Sequence, residues 1–286
     1  MTGALLSFSA MALSIRAMLN TLSIPEILSL RNGLGILIMG AVGAANGTLW
    51  PAIVPRRLGL HFVRNILHYA SQYLWAASLA LMPLAMIFAL EFTMPAWTSL
   101  LAVFFLGERM TTSRIGAIIL GFLGVLIILR PGMESFRPAA FLVLGAAFGF
   151  AISIIATKKL VETETTFAII LWMNIIQLPM ALIGSDPLFL TRISFSQLPV
   201  VLAIGVCGLT AHYCLTNAFR SGDASIVVTI DFLRIPLIAV VGWYFYNEAV
   251  DIFVFLGATL IVIGVIWNFR AESARPVTPI LGPAPP

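Results

Sequence analysis

Long apolar windows, separated by short polar connections, fill most of the sequence. Each window holds about 17–25 residues, the length of a helix that crosses a bilayer. Ten such windows cover residues 2–21, 26–46, 63–82, 84–106, 113–130, 139–158, 166–184, 198–219, 223–246 and 252–269. Proline and glycine interrupt several connections, as in Pro131-Gly132 and Asp186-Pro187. The pattern therefore predicts an all-α membrane protein with ten transmembrane helices.

The sequence repeats itself at a distance of 140 residues. The matching positions carry the same or similar side chains, namely Tyr73 and Tyr213, Glu91 and Asp231, Glu108 and Glu248, and Gly124 and Gly264. We predict two repeats, residues 1–133 and 134–270, followed by a Pro-rich, disordered cytoplasmic tail, residues 271–286. Because each repeat holds five predicted helices, the second would enter the membrane in the opposite orientation. Inverted five-helix repeats of this kind are typical of secondary transporters.

Composition excludes a soluble domain. Hydrophobic residues make up 60% of the chain and charged residues only 10%, too few for a water-exposed surface. The net charge of +4 comes from basic residues near the ends of the windows, so we expect a lipid bilayer as partner and no nucleic acid.

The basic residues are unevenly distributed between the two ends of the predicted helices. One end has ten, Arg56, Arg57, Arg64, Arg109, Arg114, Lys158, Lys159, Arg220, Arg270 and Arg275, and the other has three, Arg130, Arg137 and Arg192. Because cytoplasmic loops carry the excess of arginine and lysine, both termini are expected in the cytoplasm.

Two acids lie inside apolar windows, Glu91 and Asp231. A charged side chain at such a position costs about 2.5–3.5 kcal/mol to insert, so each acid is expected to have a partner or a function. A proline follows each of them, Pro95 and Pro236. Because proline lacks an N–H and frees a backbone carbonyl, we expect both helices to kink there.

Depth along the helices suggests partners for the first acid. At about 1.5 Å per residue, Glu91, Arg16 and Arg31 all lie about 10 Å below the outer face, so the three side chains are expected to meet. Two interpretations remain open. Glu91 forms a fixed ion pair that locks helices together, or it handles substrate or protons.

The second acid has its own neighbours. By the same counting Asp231 reaches the depth of His212, and Arg234 follows one turn later near the midplane. Asp231 and Arg234 are at the spacing of a fixed pair on one helix, which is the alternative to a role in substrate or proton handling. His212 either packs through a hydrogen bond or relays protons.

Three aromatic residues lie near the acids, Tyr73, Trp75 and Tyr213. They would line a cavity for a flat or amphipathic solute, or they belong to the interface belts and core packing that account for most membrane aromatics.

The embedded charges do not balance. Arg16, Arg31 and Arg234 outnumber Glu91 and Asp231 by one positive charge. A buried guanidinium keeps its proton, and its planar fork matches a carboxylate. The surplus predicts a substrate with at least one carboxylate, such as an amino acid or a derivative of one.

The sequence resembles the ten-helix, EamA-type group of the drug/metabolite transporter superfamily. The resemblance spans nearly the whole chain and lies in Pro95, Leu106-Gly107-Glu108-Arg109, Gly116, Gly121, Gly124 and the counterparts Pro236, Asn247-Glu248, Gly257 and Gly264. It implies secondary transport of a small metabolite across the inner membrane. Export of amino acids or their derivatives, including metallophores, is the expected direction. The alternative is uptake of a cofactor-like solute such as riboflavin or S-adenosylmethionine.

Other classes of protein fit less well. Ser221-Gly222-Asp223 lacks the first glycine of an intramembrane aspartyl protease motif, and no phosphate-binding Gly-rich loop indicates ATP-driven pumping. A channel-like or structural membrane protein stays open as an alternative. We expect no enzymatic activity, no cofactor and no metal. A homodimer is possible, because Gly121 and Gly124 suit packing within one subunit as well as between two.

Overall fold

Every regular element in the described part of the chain is a helix. A computed structural model describes residues 2–106, 111–130, 138–221, 234–248 and 251–273. The α-helices are α1 Thr2–Met18, α2 Ile24–Ala45, α3 Leu49–Ile53, α4 Leu58–Leu81, α5 Leu84–Glu91, α6 Met94–Leu106, α7 Thr112–Leu129, α8 Ala140–Leu160, α9 Thr166–Ile183, α10 Leu198–Ser221, α11 Arg234–Tyr246 and α12 Ile252–Ser273. Short 3-10 turns at Phe189–Arg192 and Phe195–Gln197 precede α10. The described residues contain no β-strand, so the predicted all-α class is confirmed.

Seven segments in the described part are long and apolar enough to cross a membrane. They are α2, α5 with α6, α7, α8, α9, α10 and α12. The remaining predicted windows contain α1, α4 and α11. Helix α1 has 17 residues, the described part of α11 has 13, and α4 is long enough but too polar. A multi-span membrane protein is therefore established, while the tenfold count stays a prediction.

The helix pairs follow the predicted duplication. Helix α7 packs along α12, α4 along α8, α1 along α10 and α2 along α9. If α1, α2, α4 and α7 correspond to α8, α9, α10 and α12, the α4–α8 and α1–α10 pairs are equivalent. The other two pairs then join a helix to its own counterpart, as a two-fold relation between repeats requires.

The most deeply buried helix is α5. Leu84, Ile87 and Phe88 are fully enclosed, and the helix ends at Glu91. Phe92 and Thr93 interrupt the helical pattern before α6 begins, with Pro95 as the second residue of α6. Since Pro95 has no N–H, the carbonyl of Glu91 loses its regular intrahelical donor at this break.

Close contact between α7 and α12 depends on two glycines. A Cβ atom built on Gly124 would lie 2.6 Å from the carbonyl oxygen of Gly257 and 2.5 Å from Cγ1 of Ile261. One built on Gly257 would lie 2.5 Å from the carbonyl oxygen of Gly124. The two backbones therefore touch, and Gly124 packs helices within the subunit.

Substitution of Gly124 by alanine is expected to push α7 and α12 apart. Because the nearest atoms include backbone, which cannot rotate away, overpacking should lower the free energy of unfolding by about 1–3 kcal/mol. The matched control is Gly40→Ala in α2, where no atom lies within 4 Å of a built Cβ atom. The midpoint of thermal unfolding in detergent should fall for Gly124→Ala and hold or rise for Gly40→Ala. Equal midpoints would refute the close contact.

Candidate functional site

One face of α4 carries polar side chains into the interior. His61, Arg64, Asn65, His68, Ser71 and Gln72 recur at three- and four-residue spacing, which places them on one side of the helix. All of them are buried. Apolar residues occupy this face in an ordinary core helix, so α4 presents a polar surface to α2, α8, α9 and α10. We refer to the buried cluster formed by Arg31, Arg64, Asn65, His68, Gln177 and His212 as the polar core.

Arg64 is held in place by two hydrogen bonds. Its Nε donates to Oγ1 of Thr157 on α8 at 2.9 Å, and its Nη1 donates to Oδ1 of Asn65 at 2.7 Å. The residue is 3% exposed. Arg64 thus has a fixed orientation, but both partners are neutral.

Two histidines meet above the arginines. The rings of His68 on α4 and His212 on α10 have centroids 5.0 Å apart in an edge-on arrangement. Gln177 on α9 lies with Nε2 at 3.0 Å from Nδ1 of His68. Phe8 and Phe150 pack against the two rings from the apolar side. Four helices therefore converge on this pair.

Arg31 on α2 is almost completely enclosed, at 1% exposure. Its Nη2 reaches Sδ of Met173 at 3.9 Å, a weak contact. Its stem passes Gly208 on α10, where a Cβ atom would lie 3.1 Å from Cγ and Cδ of the arginine. Glycine at this position leaves room for the arginine stem.

Several polar atoms of the cluster have no hydrogen-bond partner in the described part of the chain. They are Nη1 of Arg31, Nδ2 of Asn65, Oε1 of Gln72, Oε1 of Gln177 and Nε2 of His212. An orphaned buried polar atom costs about 1–3 kcal/mol, and native structures contain few. Their concentration in one cluster indicates a site that a polar ligand completes.

The two arginines repel each other. Arg64 is close enough to Arg31 to act on it electrostatically, and both act on His68 and His212. Each described acidic side chain has another partner. Glu26 and Asp186 lie at Arg192, Glu162 at Arg57, Glu164 at His61, Glu248 at Arg16, Asp251 at Arg130 and Glu91 at Trp75. The polar core is therefore positively charged over the residues that the structure describes.

Arg16 does not lie in this cluster. It forms an ion pair with Glu248 and lies over the Tyr246 ring, 4.4 Å from the centroid. Glu248 also accepts a hydrogen bond from the backbone N–H of Leu84 at 2.9 Å, which caps the start of α5. The expected meeting of Arg16, Arg31 and Glu91 is therefore wrong, because Arg16 belongs to a tie between helix ends.

Glu91 accepts a hydrogen bond from Nε1 of Trp75 at 2.9 Å. Both side chains are buried, and Trp75 continues the inward face of α4 two turns beyond His68. The structure thus joins two of the predicted site residues, directly before the interruption at Phe92 and Thr93.

The other predicted residues are distributed differently. Tyr73 and Tyr213 are 41% and 45% exposed, so they lie outside the polar core. Asp231 lies outside the described residues. Arg234 and Pro236 belong to the first turn of α11, and their side chains are likewise outside the description.

Sequence reasoning missed Arg64, Asn65, His68 and Gln177. The predicted window began at residue 63, which assigned Arg64 to a cytoplasmic helix end, whereas α4 begins at Leu58 and buries it two turns inside. The three- and four-residue spacing of polar residues from His61 to Gln72 was the signal that would have found this face.

Comparison with known proteins gives the same class along the whole chain. The model of the EamA-like transporter family matches residues 1–130 and 137–270. A riboflavin transporter of Rhizobium johnstonii is 32% identical over 219 residues, 75% of this chain and 71% of the relative. An S-adenosylmethionine uptake transporter of Rickettsia bellii is 27% identical over 213 residues, 74% of this chain and 73% of the relative. A pseudopaline exporter of Pseudomonas aeruginosa is 27% identical over 271 residues, 93% of both chains.

A solved crystal structure supports the fold alone. It covers 95% of this chain and 98% of its own with a TM-score of 0.62 and 17% identity. The family matches in both halves and the named relatives are transporters of small molecules, so the class is that of a transporter rather than an enzyme. The chain belongs to the EamA-like transporter family.

Proposed function

We propose that this protein is an inner-membrane secondary transporter that moves a small, carboxylate-bearing metabolite by alternating access. An amino acid or an amino-acid derivative, including a metallophore, is the proposed substrate class. The observation that carries the proposal is Arg31, a buried guanidinium without an acidic partner among the described residues and with Nη1 unbonded.

A charge of this kind needs a ligand. Burying an unpaired ion costs several kcal/mol, and arginine does not lose its proton to avoid that cost. A carboxylate fits the guanidinium fork with two parallel hydrogen bonds. The substrate carboxylate would therefore supply the missing partner each time it occupies the polar core.

The named relatives suggest two alternatives that the charges separate. S-adenosylmethionine carries a sulfonium and an ammonium group, which two nearby arginines would repel, and riboflavin carries no charge for them to bind. The relative that aligns over 93% of both chains is named an exporter. We propose export as the direction, with uptake of a cofactor-like solute as the second candidate.

Ion pairs tie the helix ends on both sides of the polar core. On one side Glu248 joins Arg16 to the start of α5. On the other, Glu164 accepts from the backbone N–H of Arg56 at 2.6 Å and lies 3.8 Å from His61. A carrier must release one tie at a time, whereas a channel needs a continuous path. Closure at both ends favours alternating access.

The proposed membrane arrangement has ten helices in two inverted repeats, with both termini in the cytoplasm. Because Arg64 is buried inside α4, nine of the ten basic residues counted on the cytoplasmic side remain there, against three on the other side. The excess still supports this orientation.

Arg31→Gln is expected to weaken the apparent affinity for a carboxylate substrate roughly 10- to 100-fold, the value of a charged hydrogen bond. Uptake into proteoliposomes, measured with a panel of amino acids, metal-binding amino-acid derivatives and cofactors, gives this number. The midpoint of thermal unfolding should hold or rise, because the variant removes an unpaired buried charge.

The control is Arg57→Gln, at an arginine that is half-exposed and pairs with Glu162 at 3.8 Å. It should transport like the wild type. A stability loss of about 3–5 kcal/mol in Arg31→Gln would instead show that Arg31 belongs to a structural ion pair. Unchanged transport in Arg31→Gln would refute the proposed site.

Glu91→Gln and Asp231→Asn test energy coupling. We expect one of these acids to exchange a proton during the cycle, because a buried carboxylate changes its proton affinity when its partner moves. Each variant should be folded, and at least one should lose accumulation driven by a pH gradient while keeping exchange of substrate for substrate. Coupling lies elsewhere if both variants accumulate substrate with the wild-type pH dependence.

A further inference from the structure

We propose that the substrate carries two anionic groups, one bound by Arg31 and the other by Arg64. This inference rests on the proposed function and makes its substrate class narrower. A single carboxylate would leave one of the two buried guanidiniums without a counter-charge.

Arg64 is built to receive a ligand. Thr157 and Asn65 bind its Nε and Nη1, which fixes the plane of the guanidinium from α8 and from α4 itself. The Nη2 nitrogen has no hydrogen-bond partner in the described ranges. A guanidinium has five N–H donors, so donors remain for an anion after both structural bonds are made. A side chain with this role is a preoriented binding group.

Arg31 complements it from the opposite helix. Its only hydrogen-bond contact in the described chain is the sulfur of Met173, which carries no charge. The two guanidiniums repel each other. An anion between them removes the repulsion and satisfies donors on both, which neutral amides cannot do.

The rest of the polar core suits the body of such a molecule. Oε1 of Gln177 and Oε1 of Gln72 are unbonded acceptors, and Nδ2 of Asn65 is an unbonded donor. Acceptors of this kind bind an ammonium or hydroxyl group. The geometry therefore points to a polar diacid, with an amino or hydroxyl group as a further recognition element.

One competing chemistry is a single dianionic group clasped by both arginines, such as inorganic phosphate. The other is that Arg64 is only a structural cation of α4 and α8. Each makes a different prediction for matched pairs of ligands in which one carboxylate is replaced by an amide.

The experiment measures thermal stabilisation of the full-length protein in detergent. The probes are succinate, glutarate, adipate, aspartate and glutamate, each against its monoamide, succinamate, glutaramate, adipamate, asparagine and glutamine, together with inorganic phosphate. At least one diacid is expected to reach half of its stabilisation at a concentration roughly 10- to 100-fold lower than its monoamide. Arg64→Gln should abolish that preference, and Arg57→Gln should keep it.

The wild-type comparison needs no variant, so a folding defect in Arg64→Gln would not leave the result undecided. Two-group binding is overturned if no diacid is preferred over its monoamide, or if phosphate stabilises and no diacid does.

The outcomes also separate this inference from the proposed function. Diacids and monoamides that bind equally, with both lost in Arg31→Gln, would leave a monocarboxylate carrier and refute only the second anion. If the carboxylates neither bind nor enter proteoliposomes, the proposed function fails together with the inference.

Discussion

The fold depends on keeping two guanidiniums inside an apolar bundle. Arg31 and Arg64 are nearly fully buried, and no described acid neutralises either. Arginine stays charged in such surroundings, so the cost of burial has to be offset by hydrogen bonds, by dipoles or by a ligand. Thr157 and Asn65 supply some of that for Arg64, while the sulfur of Met173 supplies little for Arg31. A site that is unfavourable when empty gives an anionic substrate a large share of its binding energy.

Charges near the helix ends behave in the opposite way. Glu248 with Arg16, Asp251 with Arg130 and Glu26 with Arg192 form pairs between segments far apart in the sequence. These pairs, and the loop contacts of Glu164, tie helix termini together around the polar core. The molecule thus separates two uses of charge. Paired charges fix the ends, and unpaired charges await a ligand in the middle.

Sequence alone predicted what depends on local pattern. Apolar windows located the helices, and the acid followed by Pro95 marked the position where α5 ends and α6 begins. Depth counting placed Arg31 and His212 inside the membrane but not the face of the helix that each occupies. Contacts such as Arg16 with Glu248 depend on how distant helices pack, and no local pattern encodes them. Arg64 was misplaced because a hydropathy window starts where apolar residues start, whereas α4 begins with a polar inward face.

The central claim is that the substrate anion binds the unpaired arginines. A structure determined with a transported diacid bound tests it most directly. We predict carboxylate oxygens about 3 Å from Nη1 of Arg31 and from Nη2 of Arg64, the distance of a charge-assisted hydrogen bond. A protein carboxylate at either guanidinium, with the diacid bound elsewhere, would contradict the account.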